Sequence, residues 1–142
     1  MSRPVKNYIP RRPPSPQRGE PLTADEPRTL PDLFLTAAER FDRENALTYK
    51  RDGKWTSISS AEMIRRIENI ALGLSSLGIK RGDRAAILAP NSPEWTLVDG
   101  GCQFAGIIDV PIYTTLAAGA VNYMLTDSGA RVIFVEDHAS YE

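Results

Sequence analysis

A chain of 142 residues, 42% apolar and 25% charged, has the composition of a soluble globular domain with a modest core. Lys and Arg number 17 against 18 Asp and Glu, and a net charge of −1 excludes a strong overall pull toward nucleic acid or an anionic membrane surface. A single cysteine, Cys102, excludes an internal disulfide and a multi-cysteine metal cluster, and no apolar run approaches the roughly 18–20 residues that span a bilayer.

Residues 1–28 form a segment of their own. Seven of the eleven prolines lie between Pro4 and Pro27, interspersed with Arg3, Arg11, Arg12, Arg18 and Arg28. Proline removes backbone donors and resists helix, and few apolar groups are present to bury. The segment reads as a disordered, solvated Pro/Arg-rich arm. Arg11 to Pro16 could also dock an aromatic groove as a polyproline helix. No apolar h-region follows the N-terminal basic residues, so a secretory signal is not expected and the expected location is cytoplasmic.

Structure is expected from Thr29, which can cap a helix with Pro31 in its first turn and Asp32 at its positive end. Leu30, Leu33, Phe34, Ala37 and Phe41 recur at helical spacing, predicting one apolar face. Two short strand patterns, Ala46–Lys50 and Trp55–Ile58, flank Asp52-Gly53 and predict a hairpin. Ser59 and Glu62 have the spacing of a capping box. The helix that they open carries Met63, Ile67, Ile70, Ala71, Leu74 and Leu77 on one face. Gly78 stands where a left-handed terminus is wanted.

Beyond Gly78 the pattern changes. Ala85–Ala89, Ile107–Ile112 and Val132–Val135 are apolar runs too short for helices, with little alternation, as expected for strands covered on both faces. Between the first two, Ser92 caps a helix with Pro93 at its first position. Between the second two, a helix near Leu116–Leu125 is stopped by Asp127-Ser128-Gly129. Strand, helix and strand in this order predict right-handed crossovers and a parallel sheet. The fold class is therefore α/β, a parallel-sheet sandwich.

The strand-flanking residues carry a signature. Gly82-Asp83-Arg84, then Pro90-Asn91-Ser92-Pro93-Glu94-Trp95, then Val110-Pro111-Ile112-Tyr113, then Asp127-Ser128-Gly129-Ala130-Arg131 resemble the opening of the AMP-forming acyl-CoA synthetases of the adenylate-forming superfamily. Val110–Tyr113 and Phe134-Val135-Glu136-Asp137 look most like long-chain fatty acid–CoA ligases. The chain departs from their pattern at Ile107, and at Thr114, where those ligases usually carry proline. The resemblance covers about residues 29–140. It implies a partial AMP-binding domain over residues 29–142, the first part of a larger N-terminal domain.

The resemblance also implies a parent reaction. A fatty acid is adenylated by ATP with Mg²⁺, pyrophosphate leaves, and the acyl group passes to coenzyme A. In such a ligase the segment matching Ile112, Tyr113, Thr114 and Thr115 lies near the channel for the coenzyme A arm. The remainder of the ligase chain is then the expected partner, and the parent enzyme could sit peripherally on a membrane. No nucleic-acid partner is expected.

A triphosphate site needs a Gly/Ser/Thr-rich loop of backbone donors with a lysine. The four lysines are Lys6, Lys50, Lys54 and Lys80, and none lies in such a loop. The expectation is a fragment inactive by itself, with no catalytic or metal-binding residue of its own and no tightly bound cofactor. The alternative is a non-catalytic α/β module that binds a nucleotide or a protein partner. A dinucleotide-dependent oxidoreductase lacks its glycine fingerprint here.

Other residues have plainer expectations. Thr115 can cap the following helix and Tyr113 can pack on the sheet. Trp95 is read as core packing ahead of ligand stacking. Gly100-Gly101 implies close approach of helix to sheet. Cys102 is read as a small buried hydrophobe, and His138 as without a catalytic role. A sheet that stops after Val135 leaves an open edge, so marginal stability or self-association is expected.

Overall fold

A computed structural model describes residues 26–137. The arm expectation therefore falls almost wholly outside the described residues, as does His138. In chain order the elements are α1 (Leu30–Phe41), β1 (Leu47–Arg51), β2 (Lys54–Ile58), α2 (Ser60–Ser76), β3 (Arg84–Leu88), α3 (Pro93–Ala105), β4 (Ile108–Ile112), α4 (Ala118–Ser128) and β5 (Val132–Val135).

Local chemistry sets the helix starts. Thr29 Oγ1 accepts from Asp32 N at 3.2 Å, and Asp32 Oδ2 accepts from Thr29 N at 3.0 Å, closing a reciprocal box at the head of α1. At α2 only half of that device forms. Ser59 Oγ accepts from Glu62 N at 3.2 Å, but the Glu62 carboxylate turns outward to Arg65 and Arg66, at 2.7 and 2.6 Å. Three charge-assisted bonds, two from Arg65 and one from Arg66, outcompete one neutral backbone donor. Ser60 is buried instead, its Oγ accepting from Arg43 N at 3.0 Å. Asp52 and Gly53, at φ of 50° and 77°, form the tight turn that joins β1 to β2 in antiparallel register.

β3 pairs in parallel with β4 on one side and with β5 on the other, giving the order β4-β3-β5. The chain thus steps one way across the sheet from β3 to β4 and the other way from β4 to β5. Right-handed crossovers with this order put α3 and α4 on opposite faces. Only β3 is deeply buried, with Ala85, Ala86 and Ile87 at 0–1% exposure. β4 and β5 are edges among the described residues, and Ile108 is largely exposed. Coverage of all three strands on both faces is therefore not observed.

The core has two clusters. Leu74, Ala85, Cys102 and Ile107 pack between α2, α3 and the sheet, while Ile58, Ile67 and Leu97 join the hairpin to the two helices. Burying each large aliphatic side chain stabilises the fold by about 1.5–3 kcal/mol. Ile70 touches both clusters.

Three expectations are corrected here. Gly100 and Gly101 face α2 and not the sheet: a Cβ on Gly100 would lie 2.7 Å from Ile67 Cδ1, and one on Gly101 would lie 2.7 Å from Ile70 Cβ. The glycines let two helices approach, which offsets their poor helix propensity of about 1 kcal/mol each. The predicted apolar face of α1 is largely open to solvent, with Leu30, Leu33 and Phe41 at 50–57% exposure. Phe34 is the anchor, meeting Phe104 edge-on at 6.4 Å between ring centroids. Leu77 lies past the last turn of α2 and is exposed as well.

Candidate functional site: clefts at the carboxyl ends of the parallel strands

Leu88, Ile112 and Val135 end their strands on the same margin of the sheet, because all three strands run in parallel. Ligands of open α/β sheets bind outside the carboxyl ends of strands, where the strand order reverses. Two clefts occupy that margin. The larger, about 660 Å³, is walled by Pro90, Asn91, Trp95, Pro111, Tyr113 and Thr114. The other, about 400 Å³, is lined by Arg51, Ser92, Glu94, Trp95, Phe134 and Glu136 among others. Trp95 and Ala89 belong to both.

The first turn of α3 builds the wall between them. Ser92 is the cap, its Oγ accepting from Trp95 N at 3.1 Å, and Pro93 follows at the first helical position. That bond fixes the backbone from which the indole projects. Trp95 is half-buried and belongs to neither core cluster, so the core-packing expectation gives way to a place in the cleft walls. Beside it, Arg51 Nη2 donates to Glu94 Oε1 at 3.2 Å, tying the hairpin to the head of α3 across the second cleft. Both side chains are more than half exposed, so this contact orients the rim and adds little stability.

Tyr113 and Thr114 come together in the larger cleft, while Thr115 does not line it. Tyr113 is 80% exposed, which overturns its packing on the sheet. Thr115 does not cap α4 either: the cap position is Ala117, without a side-chain bond. The loop after β4 runs longer than the spacing suggests before the helix begins.

A polar cluster beneath α3 was missed at the sequence level. Gln103 Nε2 donates to Asp109 Oδ1 on β4 at 3.0 Å and to Asp99 Oδ1 at 3.4 Å. Partial burial raises the Asp99 carboxyl above its ordinary range; the Gln103 bond opposes that and the nearby Asp109 charge adds to it. The i,i+4 spacing of Asp99 and Gln103 was a readable signal; the approach of Asp109 was not. The same surroundings push the Cys102 thiol up to about 12, through burial first and the Asp109 and Asp99 charges second. Cys102 is fully buried, as expected, and is held as an unreactive thiol.

The described residues bring no lysine to the loops at the strands' carboxyl ends, where a triphosphate would need one. Lys50 and Lys54 lie on β1 and β2 and Lys80 in the turn after α2, none in the loops at the strands' carboxyl ends. Among the described residues no group of three His, Cys, Asp or Glu side chains could hold a metal ion, and no helix is long and apolar enough to cross a membrane.

Comparison with known proteins agrees with this geometry. The family model described as "AMP-binding enzyme" matches residues 34–142. The long-chain-fatty-acid–CoA ligase ACSBG1 of Bos taurus is 34% identical over 125 residues, covering 88% of this chain and 17% of the relative. The long-chain-fatty-acid–CoA ligase FadD15 of Mycobacterium bovis is 36% identical over 121 residues, covering 81% of this chain and 20% of the relative. Among solved structures, the N-terminal subdomain of Klebsiella oxytoca NpsA superposes with a TM-score of 0.68 at 25% identity, over 78% of this chain and 28% of that one. The chain thus spans about a fifth of the length of these curated relatives. With the parallel β4-β3-β5 sheet and the family match over residues 34–142, this chain belongs to the AMP-binding enzyme family, and matches its N-terminal region in the fatty acid–CoA ligases.

Proposed function

We propose that this chain serves as the N-terminal part of a long-chain fatty acid–CoA ligase. Its parent reaction joins a fatty acid to AMP at the expense of ATP, with Mg²⁺, and then transfers the acyl group to coenzyme A. The observation that carries this reading is the family match over residues 34–142 with ligases among the relatives. The sheet margin supports it, since the clefts lie where open α/β folds take ligands.

The role assigned to these residues is scaffold and channel wall. The groups that grip the triphosphate and its metal belong to sequence outside the chain. The larger cleft, with Tyr113 and Thr114 on its rim, is proposed to take the coenzyme A arm, and Thr115 to follow at its outer end. Proline rings and Ile112 suit methylenes; the Asn91 amide and the Thr114 and Tyr113 hydroxyls suit amide groups.

A chimaera tests the reading. Residues 34–142 replace the matching segment of the FadD15 ligase, and acyl-CoA formation from palmitate, ATP and coenzyme A is measured. A folded chimaera that forms palmitoyl-CoA supports the proposal. A folded chimaera that forms none, beside an active parent, overturns it.

A further inference from the structure

We propose that Trp95 is a specificity-determining residue of the larger cleft, its indole forming the wall against which an unbranched, amide-bearing thiol arm lies. The inference rests on the reading of that cleft given above, and names a contact that the reading does not require.

Four features carry it. Trp95 lines both clefts, the mixed-polarity channel and the charged one that holds Arg51, Glu94 and Glu136. The Ser92 cap, accepting from Trp95 N at 3.1 Å, holds the backbone that carries the indole. Pro90 and Pro111 line the same channel and bring no backbone N–H, leaving the polar contacts to side chains. Tyr113, 80% exposed, has its ring uncovered on the same channel. Two aromatic faces and two proline rings favour a slender chain of methylenes. The Asn91, Tyr113 and Thr114 polar groups favour amides within that chain over an all-methylene acyl chain.

The sequence supplies its own control. The chain has two tryptophans, and Trp55 is 72% exposed on β2, outside the residues that line either cleft. In the ¹⁵N-labelled 142-residue chain the two indole N–H signals separate the sites. Pantetheine at millimolar concentration is expected to shift the Trp95 indole signal and the Tyr113 and Thr114 amides, and to leave Trp55 unmoved. Trp95→Leu is expected to weaken that binding about tenfold, as read on the Thr114 amide, and Trp95→Phe by less. Should Trp95→Leu unfold, the wild-type titration and Trp95→Phe carry the test.

The outcomes separate the inference from the reading beneath it. If the Tyr113 and Thr114 amides shift while the Trp95 indole stays still, or Trp95→Leu binds equally well, the role of Trp95 falls and the cleft's assignment stands. If decanoate shifts the indole and pantetheine does not, the occupant is an acyl chain and the proposal is wrong. If neither pantetheine nor coenzyme A moves any of these signals, the arm channel itself is refuted, and the inference with it.

Discussion

Asp83 Oδ2 lies 2.6 Å from Arg131 Nη1, joining the residue before β3 to the residue before β5 at the amino end of the sheet. The same carboxylate accepts from Lys80 N at 2.8 Å, and these two contacts, the backbone bond first, hold it below its usual range. Its neighbour Arg84 works the same corner. Arg84 Nε donates to the Ser128 carbonyl at 2.7 Å and Nη2 to the Gly129 carbonyl at 3.2 Å, closing the open end of α4. Two motifs far apart in sequence, Gly82-Asp83-Arg84 and Asp127–Arg131, are one clip. That clip sits at the end of the sheet opposite the clefts, so these motifs report on architecture.

Arg84→Ala should therefore cost stability without altering the cleft. Losing a charged donor to two helix-terminal carbonyls is expected to cost about 2 kcal/mol, with Arg84→Lys intermediate because a lysine cannot fork across both. The midpoint of urea unfolding measures this. An unchanged midpoint in Arg84→Ala would show the clip to be idle. Gly129→Ala should be costly for two reasons: its φ is +61°, and an added Cβ would meet Arg84 Nη2 at 2.8 Å.

The two adjacent glycines of α3 should respond unequally to alanine. At Gly100 a new Cβ meets the outer carbons of Ile67, Cδ1 at 2.7 Å and Cγ1 at 2.9 Å, in a side chain that is itself fully buried. At Gly101 it meets Ile70 Cβ at 2.7 Å, an atom held by the backbone. Gly100→Ala is expected to be the milder change, its overpacking partly offset by a helix-propensity gain of about 1 kcal/mol. Gly101→Ala is expected to destabilise by about 1–3 kcal/mol through overpacking. Thermal midpoints of the two single variants check the order; the reverse order would contradict the helix–helix approach described above.

Glu62 links stability to acid. Its hydrogen bonds to Arg65 and Arg66 lower its pKa from 4.5 to about 2. A carboxylate depressed in the folded state contributes stability that is complete above pH 4.5 and lost as pH falls toward about 2. Glu62→Gln should be less stable than the wild type at pH 7, with the difference shrinking steadily below pH 4.5. Urea titrations at stepped pH measure it. A gap that stayed constant down to pH 2 would contradict the linkage.

The two edges of the sheet differ in their protection. β4 carries Asp109 and Pro111, which discourage strand addition, whereas β5 is Val132, Ile133, Phe134 and Val135, without charge or proline. Among the described residues β5 pairs only with β3. Self-association that grows with protein concentration is expected in sedimentation velocity. A single monomeric species across a tenfold concentration range would contradict it.

Periodicity and capping chemistry made the element order and the parallel strands legible in the sequence, because both act over one or two turns. Thr29, Ser59 and Ser92 all cap where their spacing indicates, and Gly78 and Gly129 follow α2 and α4 in the left-handed conformation. Long-range consequences were less legible. Nothing local announces that Gly100 and Gly101 face Ile67 and Ile70, or that Leu30 and Phe41 stay exposed, since an apolar stripe does not say which neighbour covers it. Tyr113 and Thr114 stood out in the sequence because they follow the carboxyl end of a strand. Trp95 was misplaced into the core because helical spacing alone does not distinguish a cleft wall from a buried face.

The most direct measurement of the central claim is fatty-acid-dependent exchange of labelled pyrophosphate into ATP by the purified 142-residue chain. On the proposed reading these residues supply the framework and a channel wall of a carboxylate-activating ligase, and groups elsewhere grip the triphosphate. The predicted result is no exchange above background at any concentration of palmitate and Mg²⁺–ATP. Sustained, acid-dependent exchange, lost on heat unfolding of the chain, would contradict that division of labour.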